Sequence, residues 1–186
     1  MKITREEAYA ALQNADLLHD GTTVEAALDR MAAAINERAA RMSRPPVVLA
    51  VMVGGLLPAG KLLPKLDFPL EVDYIHATRY RGATTGGELV WIARPKIELD
   101  GRSVLIVDDI LDEGHTLAGI IEECRDLGAS EVLTAVLVEK LHDRRYQGLK
   151  ADFVGVEVED RYVFGAGMDY KGFWRNLAGI YAVAER

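Results

Sequence analysis

The chain has 186 residues, of which 49% are hydrophobic, a formal net charge of −7 and one cysteine, Cys124. That length supplies a full core without disulfides, and a lone thiol closes no intrachain bridge and suits a reducing cytoplasm. The acidic balance argues against broad nucleic-acid binding, which neutralises phosphates with basic side chains, and no run approaches the roughly 20 apolar residues needed to cross a bilayer.

The start, Met1-Lys2-Ile3-Thr4-Arg5-Glu6-Glu7, lacks the apolar centre of a secretory signal, so the expectation is a soluble cytoplasmic protein. Residues 5–19 are helix-rich, and Asp20-Gly21 interrupts them. Thr22 and Glu25 have the spacing of a capping box for a second helix, whose buried stripe is Val24, Ala27, Leu28, Met31 and Ile35. Arg44-Pro45-Pro46 closes the helical region, because a residue before proline is pushed out of helical geometry. Val47 to Val53 then read as a buried strand, and Gly54-Gly55 after it lets an oxyanion approach the main chain. Residues 78–87, polar and rich in glycine, lie between extended runs as either a plain hairpin or a lid.

The most informative stretch runs from Val104 to Leu117. Val104 to Val107 form a strand covered on both faces, which brings Asp108 and Asp109 to its carboxyl end, where open parallel sheets bind ligands. Asp112-Glu113-Gly114-His115-Thr116 must then turn the chain into a helix, whose first N–H groups lack internal partners and face an anion. A helix dipole gives an anion only about 0.3 to 1 kcal/mol, whereas each hydrogen bond to a charged group gives about 1.5 to 3, so several loop amides have to converge. Gly114 permits that approach and Thr116 adds a hydroxyl donor; an ordinary helix capped by Asp112 or Thr116 is the plainer alternative. Leu117, Ile120, Ile121, Cys124 and Leu127 give the helix its apolar face, and Gly128 stops it. A further strand, Val132 to Val138, ends at Glu139-Lys140. Alternating strands and helices without a linker or repeat predict one domain, 1–186, with a mainly parallel α/β sheet flanked by helices.

The string from Val107 to Thr116 resembles the phosphoribosyl-pyrophosphate signature of type I phosphoribosyltransferases. Lys140, Asp152-Phe153-Val154-Gly155, Asp160-Arg161-Tyr162-Val163-Phe164-Gly165 and Met168-Asp169-Tyr170 are similar to the hypoxanthine-guanine branch, and the likeness spans about Val47 to Val183. The resemblance implies magnesium-dependent (Mg2+) transfer of a 5-phosphoribosyl group to hypoxanthine or guanine, with release of pyrophosphate. It implies that Asp108 and Asp109 bind the ribose hydroxyls and magnesium, and that Asp112 is the general base. Glu113, Gly114, His115 and Thr116 would form the phosphate loop, and Gly54-Gly55 the pyrophosphate turn, where a non-proline cis peptide is expected. Lys140 would meet the exocyclic oxygen of the purine, Tyr162 would stack on it, and the Val163 main chain would meet its edge. Asp169 would bind a second magnesium and Arg175 the pyrophosphate, while Arg79 and Tyr80 would belong to a lid at 78–88. A small hood built from both termini and assembly as a homodimer or homotetramer are also implied.

Val53 stands where the family often has lysine, Glu113 where threonine or serine is common, and Asp108 where glutamate is common. A carboxylate facing phosphate repels it, so Glu113 is expected to point outward, and His115 reads as an exposed loop residue. A non-catalytic sensor of phosphoribosyl pyrophosphate or nucleotide on the same fold is the alternative, against which Asp112, Lys140, Asp169 and Arg175 together argue.

Overall fold

The N-terminal helix α1 (Arg5–Gln13) begins in a capping box between Thr4 and Glu7, and a short strand β1 (Asp16–His19) follows it. In this computed structural model residues 3–79 and 89–184 are described, Arg79 in its main chain only. The helix reading of 5–19 is therefore corrected at its end. Asp16 to His19 are drawn into strand geometry by antiparallel pairing with the far end of the chain. The second helix, α2 (Gly21–Ala39), is capped by Asp20, whose side chain accepts from the Thr23 N–H at 2.8 Å, and not by Thr22. All five stripe residues read from the sequence are buried on it.

The main sheet takes β2 (Val47–Val51), then, after α3 (Leu56–Leu62), β3 (Glu71–Arg79) and β4 (Leu89–Ala93). It continues through β5 (Ser103–Leu111), α4 (His115–Asp126), β6 (Glu131–Leu141) and β7 (Phe153–Glu159). The strand order is β4-β3-β2-β5-β6-β7, parallel throughout except for β4, which runs antiparallel to β3. From β2 the chain steps outward to β3 and β4, then returns to the other side of β2 as β5 and steps away through β6 and β7. That reversal leaves a crevice at the carboxyl ends of β2 and β5, the position where open α/β sheets hold ligands.

Alternation along the strands feeds two cores. Val48, Ala50, Leu105 and Val107 pack with α2 and α3 residues, whereas Val47, Leu49, Val51 and Ile106 pack with Leu117, Ile120, Ile121 and Cys124 of α4. Cys124 is fully buried, and burial pushes its thiol up to about 11, so it is a packing residue. Leu127 departs from the expected stripe, being 40% exposed at the C-cap, while Gly128 takes φ +86° and ends the helix.

A second sheet, β1-β9-β8, joins β1 to β8 (Val163–Phe164) and β9 (Ile180–Ala182). It is built from segments near both ends of the chain. The Trp174 indole N–H donates to the Ala8 carbonyl at 2.7 Å, tying the C-terminal segment to α1.

Candidate active site

The acidic string lies where the strand reading places it, with one extension: β5 continues to Leu111, so Asp108 and Asp109 lie within the strand. Asp112 follows directly, and α4 starts at His115 after Gly114, whose φ of +88° only glycine adopts readily. Neither Asp112 nor Thr116 caps α4, which has no side-chain cap at all. Its first amides therefore stay available to a ligand.

A cavity of about 520 Å3 opens at this crevice, lined by the 51–54 turn, residues 108–117, Asp169 and Arg175. The turn carries a cis peptide between Met52 and Val53, as the resemblance implied. Its glycines are required by contact. A Cβ on Gly54 would overlap the Asp109 carboxylate, and one on Gly55 would lie 2.6 Å from the Val107 carbonyl oxygen. Gly167, at φ +112°, packs against the Gly54 carbonyl from the other side.

A second cavity of about 320 Å3 is lined by Lys140, Tyr162, Val163 and Met168, together with Asp109, Ile110, Asp112 and Asp169. The last four also line the larger cavity, so the two spaces share a wall. Tyr162 is half-exposed, with its ring edge-on to Tyr170 at 5.7 Å, which leaves an aromatic face at the mouth of the smaller space.

Asp112 stands in that wall. The Lys140 ammonium donates to its Oδ2 at 2.6 Å, and His142 Nε2 lies 2.8 Å from its Oδ1. Burial raises its carboxyl, but the bonds to Lys140 and His142 outweigh this and hold it below the usual carboxylate range. The strand read as Val132 to Val138 runs on to Leu141, so Lys140 lies within β6 and is only 9% exposed.

Asp108 and Asp109 behave oppositely. Burial and then the neighbouring Asp109 carboxylate hold Asp108 well above its ordinary range, and burial raises Asp109 despite its bond to Asp108 and the nearby Arg175. Arg175 reaches both sides of the larger cavity, lying 2.5 Å from Asp169 Oδ1 and 3.6 Å from Asp109 Oδ2. Glu113 is exposed and lines the larger cavity, whereas His115, expected in an exposed loop, is the half-buried first residue of α4, its ring 4.6 Å from that of Tyr146. Thr78 and the main chain of Arg79 end β3 opposite Val90 and Leu89; Tyr80 and the other lid residues up to 88 lie outside the described residues.

Sequence reasoning missed His142, Arg145 and Asp160. Arg145 donates to the carbonyls of Leu111, Asp112 and Lys140 and to Glu139, locking the loop after β5 to the end of β6. His142 had a signal: it stands two residues after Lys140, the same-face spacing of an extended chain. Arg145 had none in its polar surroundings.

A doubly wound sheet with an acidic strand end, an uncapped helix start and two cavities that share a wall makes a ligand site suited to an anionic group beside a second group. The phosphoribosyl transferase domain family matches residues 14–171, and the chain belongs to this family. It is 35% identical over 136 residues to the hypoxanthine-guanine phosphoribosyltransferase of Bacillus subtilis, covering 73% of this chain and 75% of that one. It is 32% identical over 140 residues to the hypoxanthine-guanine-xanthine phosphoribosyltransferase of Tritrichomonas foetus, covering 75% and 76%. The crystal structure of a hypoxanthine phosphoribosyltransferase from Staphylococcus aureus shares the fold, with a TM-score of 0.86 at 24% identity over 94% of this chain and 95% of that one.

Proposed function

We propose that the chain moves a 5-phosphoribosyl group from phosphoribosyl pyrophosphate to hypoxanthine or guanine, giving IMP or GMP and pyrophosphate. The observation that carries this reading is the wall shared by the two cavities, formed by Asp109, Ile110, Asp112 and Asp169. The polar cavity takes the phosphoribosyl pyrophosphate and the smaller one the purine, so the bond forms between them.

In this reading the 5-phosphate rests on Glu113 to Thr116 at the start of α4, where no side chain caps the first amides. The pyrophosphate meets the main chain at Gly54-Gly55 and the Arg175 guanidinium, a planar fork that suits paired phosphate oxygens. Asp108 and Asp109 accept from the ribose hydroxyls. As the bond from ribose C1 to pyrophosphate breaks, its electron pair departs with the pyrophosphate. A ring nitrogen of the base supplies the pair for the new bond, and the proton at N7 passes to Asp112. Lys140 donates to the exocyclic oxygen, the Tyr162 ring stacks on the base, and the Val163 main chain meets its edge.

The donor set fits magnesium. Asp109 and Asp169 already face one cationic group, Arg175, from two sides, and hard carboxylate oxygens are the ligands Mg2+ prefers. Asp108, Asp109 and Asp169 are the residues that would hold it, and when bound it neutralises charge on the pyrophosphate. A lone buried thiol fits residence in the reducing cytoplasm.

The test is nucleotide formation from phosphoribosyl pyrophosphate and magnesium with hypoxanthine, guanine, xanthine and adenine. Hypoxanthine and guanine give product, while adenine, which sets an amino donor against Lys140, is rejected. Folded protein that yields no nucleotide with any base contradicts the reading.

A further inference from the structure

Two side chains divide the Asp112 carboxylate between them: Lys140 takes Oδ2 and His142 takes Oδ1. The His142 side chain is only 3% exposed, so its ring is fixed by packing. Its other nitrogen, Nδ1, accepts from the main-chain N–H of Arg144 at 3.1 Å. A backbone amide can only donate, which keeps the lone pair on Nδ1 and leaves Nε2 to carry the hydrogen that points at Asp112. The orientation of the histidine is thus set by the chain itself.

We infer that His142 is a positioning residue for the general base: its Nε2–H pins Oδ1 of Asp112 and leaves Oδ2 as the atom that takes the purine proton. Oδ2 is the oxygen that shares Lys140 with the exocyclic oxygen of an arriving 6-oxopurine, so base and proton acceptor are read from one ammonium. An unpinned carboxylate would rotate about its side chain and spend part of its time with neither oxygen aimed at the ring, a loss of the near-attack geometry on which the transfer depends. This inference rests on the reading of Asp112 as the base.

The surroundings of the pair favour orientation over metal binding. Single ligand atoms of Asp112, His142 and Asp160 lie within 4.8 Å of one another, but the Lys140 ammonium already occupies that charge position, 2.6 Å from Asp112 and 3.9 Å from Asp160. Further out, Arg144 is paired with Asp160 and Arg145 with Glu139, while Glu113 and His115 pair at the start of α4.

The experiment compares the wild type with His142→Leu, His142→Gln, His142→Asn and Asp112→Asn, reading kcat, the KM for hypoxanthine and the pH profile of kcat. A glutamine amide reaches the place of Nε2 and an asparagine amide the place of Nδ1. Loss of one hydrogen bond to a charged group corresponds to a fall in kcat of about ten- to a hundredfold in His142→Leu and His142→Asn. The KM for hypoxanthine changes little. The acid limb of the profile moves to higher pH, because a donor that favours the ionised carboxylate is gone. His142→Gln restores most of the rate and the position of the limb. If His142→Leu does not fold, the contrast between Gln and Asn still decides. Equal losses in Gln and Asn, or wild-type kcat with an unmoved limb in Leu, overturn the inference. Wild-type turnover in Asp112→Asn overturns the reading of the base and this inference with it; an inactive Asp112→Asn beside an unaffected His142→Leu overturns this inference alone.

Discussion

The Lys140 ammonium lies 2.6 Å from Oδ2 of Asp112, so the two groups assigned to base recognition and proton transfer are bonded to each other before any purine arrives. The pair is partly open, with 44% of the Asp112 side chain exposed, and a ring entering the smaller cavity meets both at once. Substituting Asp112 by asparagine keeps the size and one acceptor but removes the base. Turnover should fall by about 10² to 10⁴ while the Michaelis constants change much less, as steady-state kinetics will show. Equal turnover would remove Asp112 from the mechanism.

Asp108 carries a cost in the empty site. Its folded pKa lies above the unfolded one, so the folded state binds more protons through that window and stability falls as pH rises through it. Asparagine at 108 can still accept from the Asp109 N–H, the bond Asp108 makes at 2.8 Å, without the buried charge. In metal-free buffer at pH 7, Asp108→Asn should melt higher than the wild type, by about 2 to 4 °C for each kcal/mol recovered, and the gap should close as pH falls below the usual carboxylate range. Transfer activity should drop in the same variant. A lower melting temperature at pH 7 would contradict the sign.

Arg145 holds three main-chain carbonyls and Glu139 from a position that is nearly buried. Arg145→Ala leaves those acceptors without a donor, at about 1 to 3 kcal/mol for each group that water cannot reach. Urea denaturation should show a clear fall in midpoint, accompanied by weaker turnover because the loop bearing Asp112 loses its anchor to β6. An unchanged midpoint would mean that solvent replaces all four bonds.

Glycine at 167 is required twice, by its φ of +112° and by its contact with the Gly54 carbonyl. Alanine there has to move the pyrophosphate turn or distort its own backbone, at about 1 to 3 kcal/mol. The KM for phosphoribosyl pyrophosphate should rise more than that for hypoxanthine. Parallel changes in both would argue against a local effect on the turn.

The phosphate side of the site was legible because its parts are contiguous: a buried strand, four carboxylates, Gly114 and a helix start occupy residues 104–117 in order. The sheet was legible for the same reason, since Val47 to Val51 and Val104 to Val107 are apolar runs covered on both faces. What failed depends on partners distant in sequence. Asp16 to His19 continue a helical composition and become a strand only through Ile180 to Ala182. Thr22 and Asp20 are both good caps, and the chain entering from β1 selects Asp20. The strand read as ending at Val138 runs on to Leu141, and that truncation hid His142 just beyond it.

The most direct test of the account is a crystal structure of the protein with IMP, pyrophosphate and magnesium. The account predicts N7 of the purine within hydrogen-bonding distance of Oδ2 of Asp112, the exocyclic oxygen on Lys140, and the 5-phosphate on the amides of residues 113–116. A purine seated elsewhere, with Asp112 still bonded only to Lys140 and His142, would contradict it.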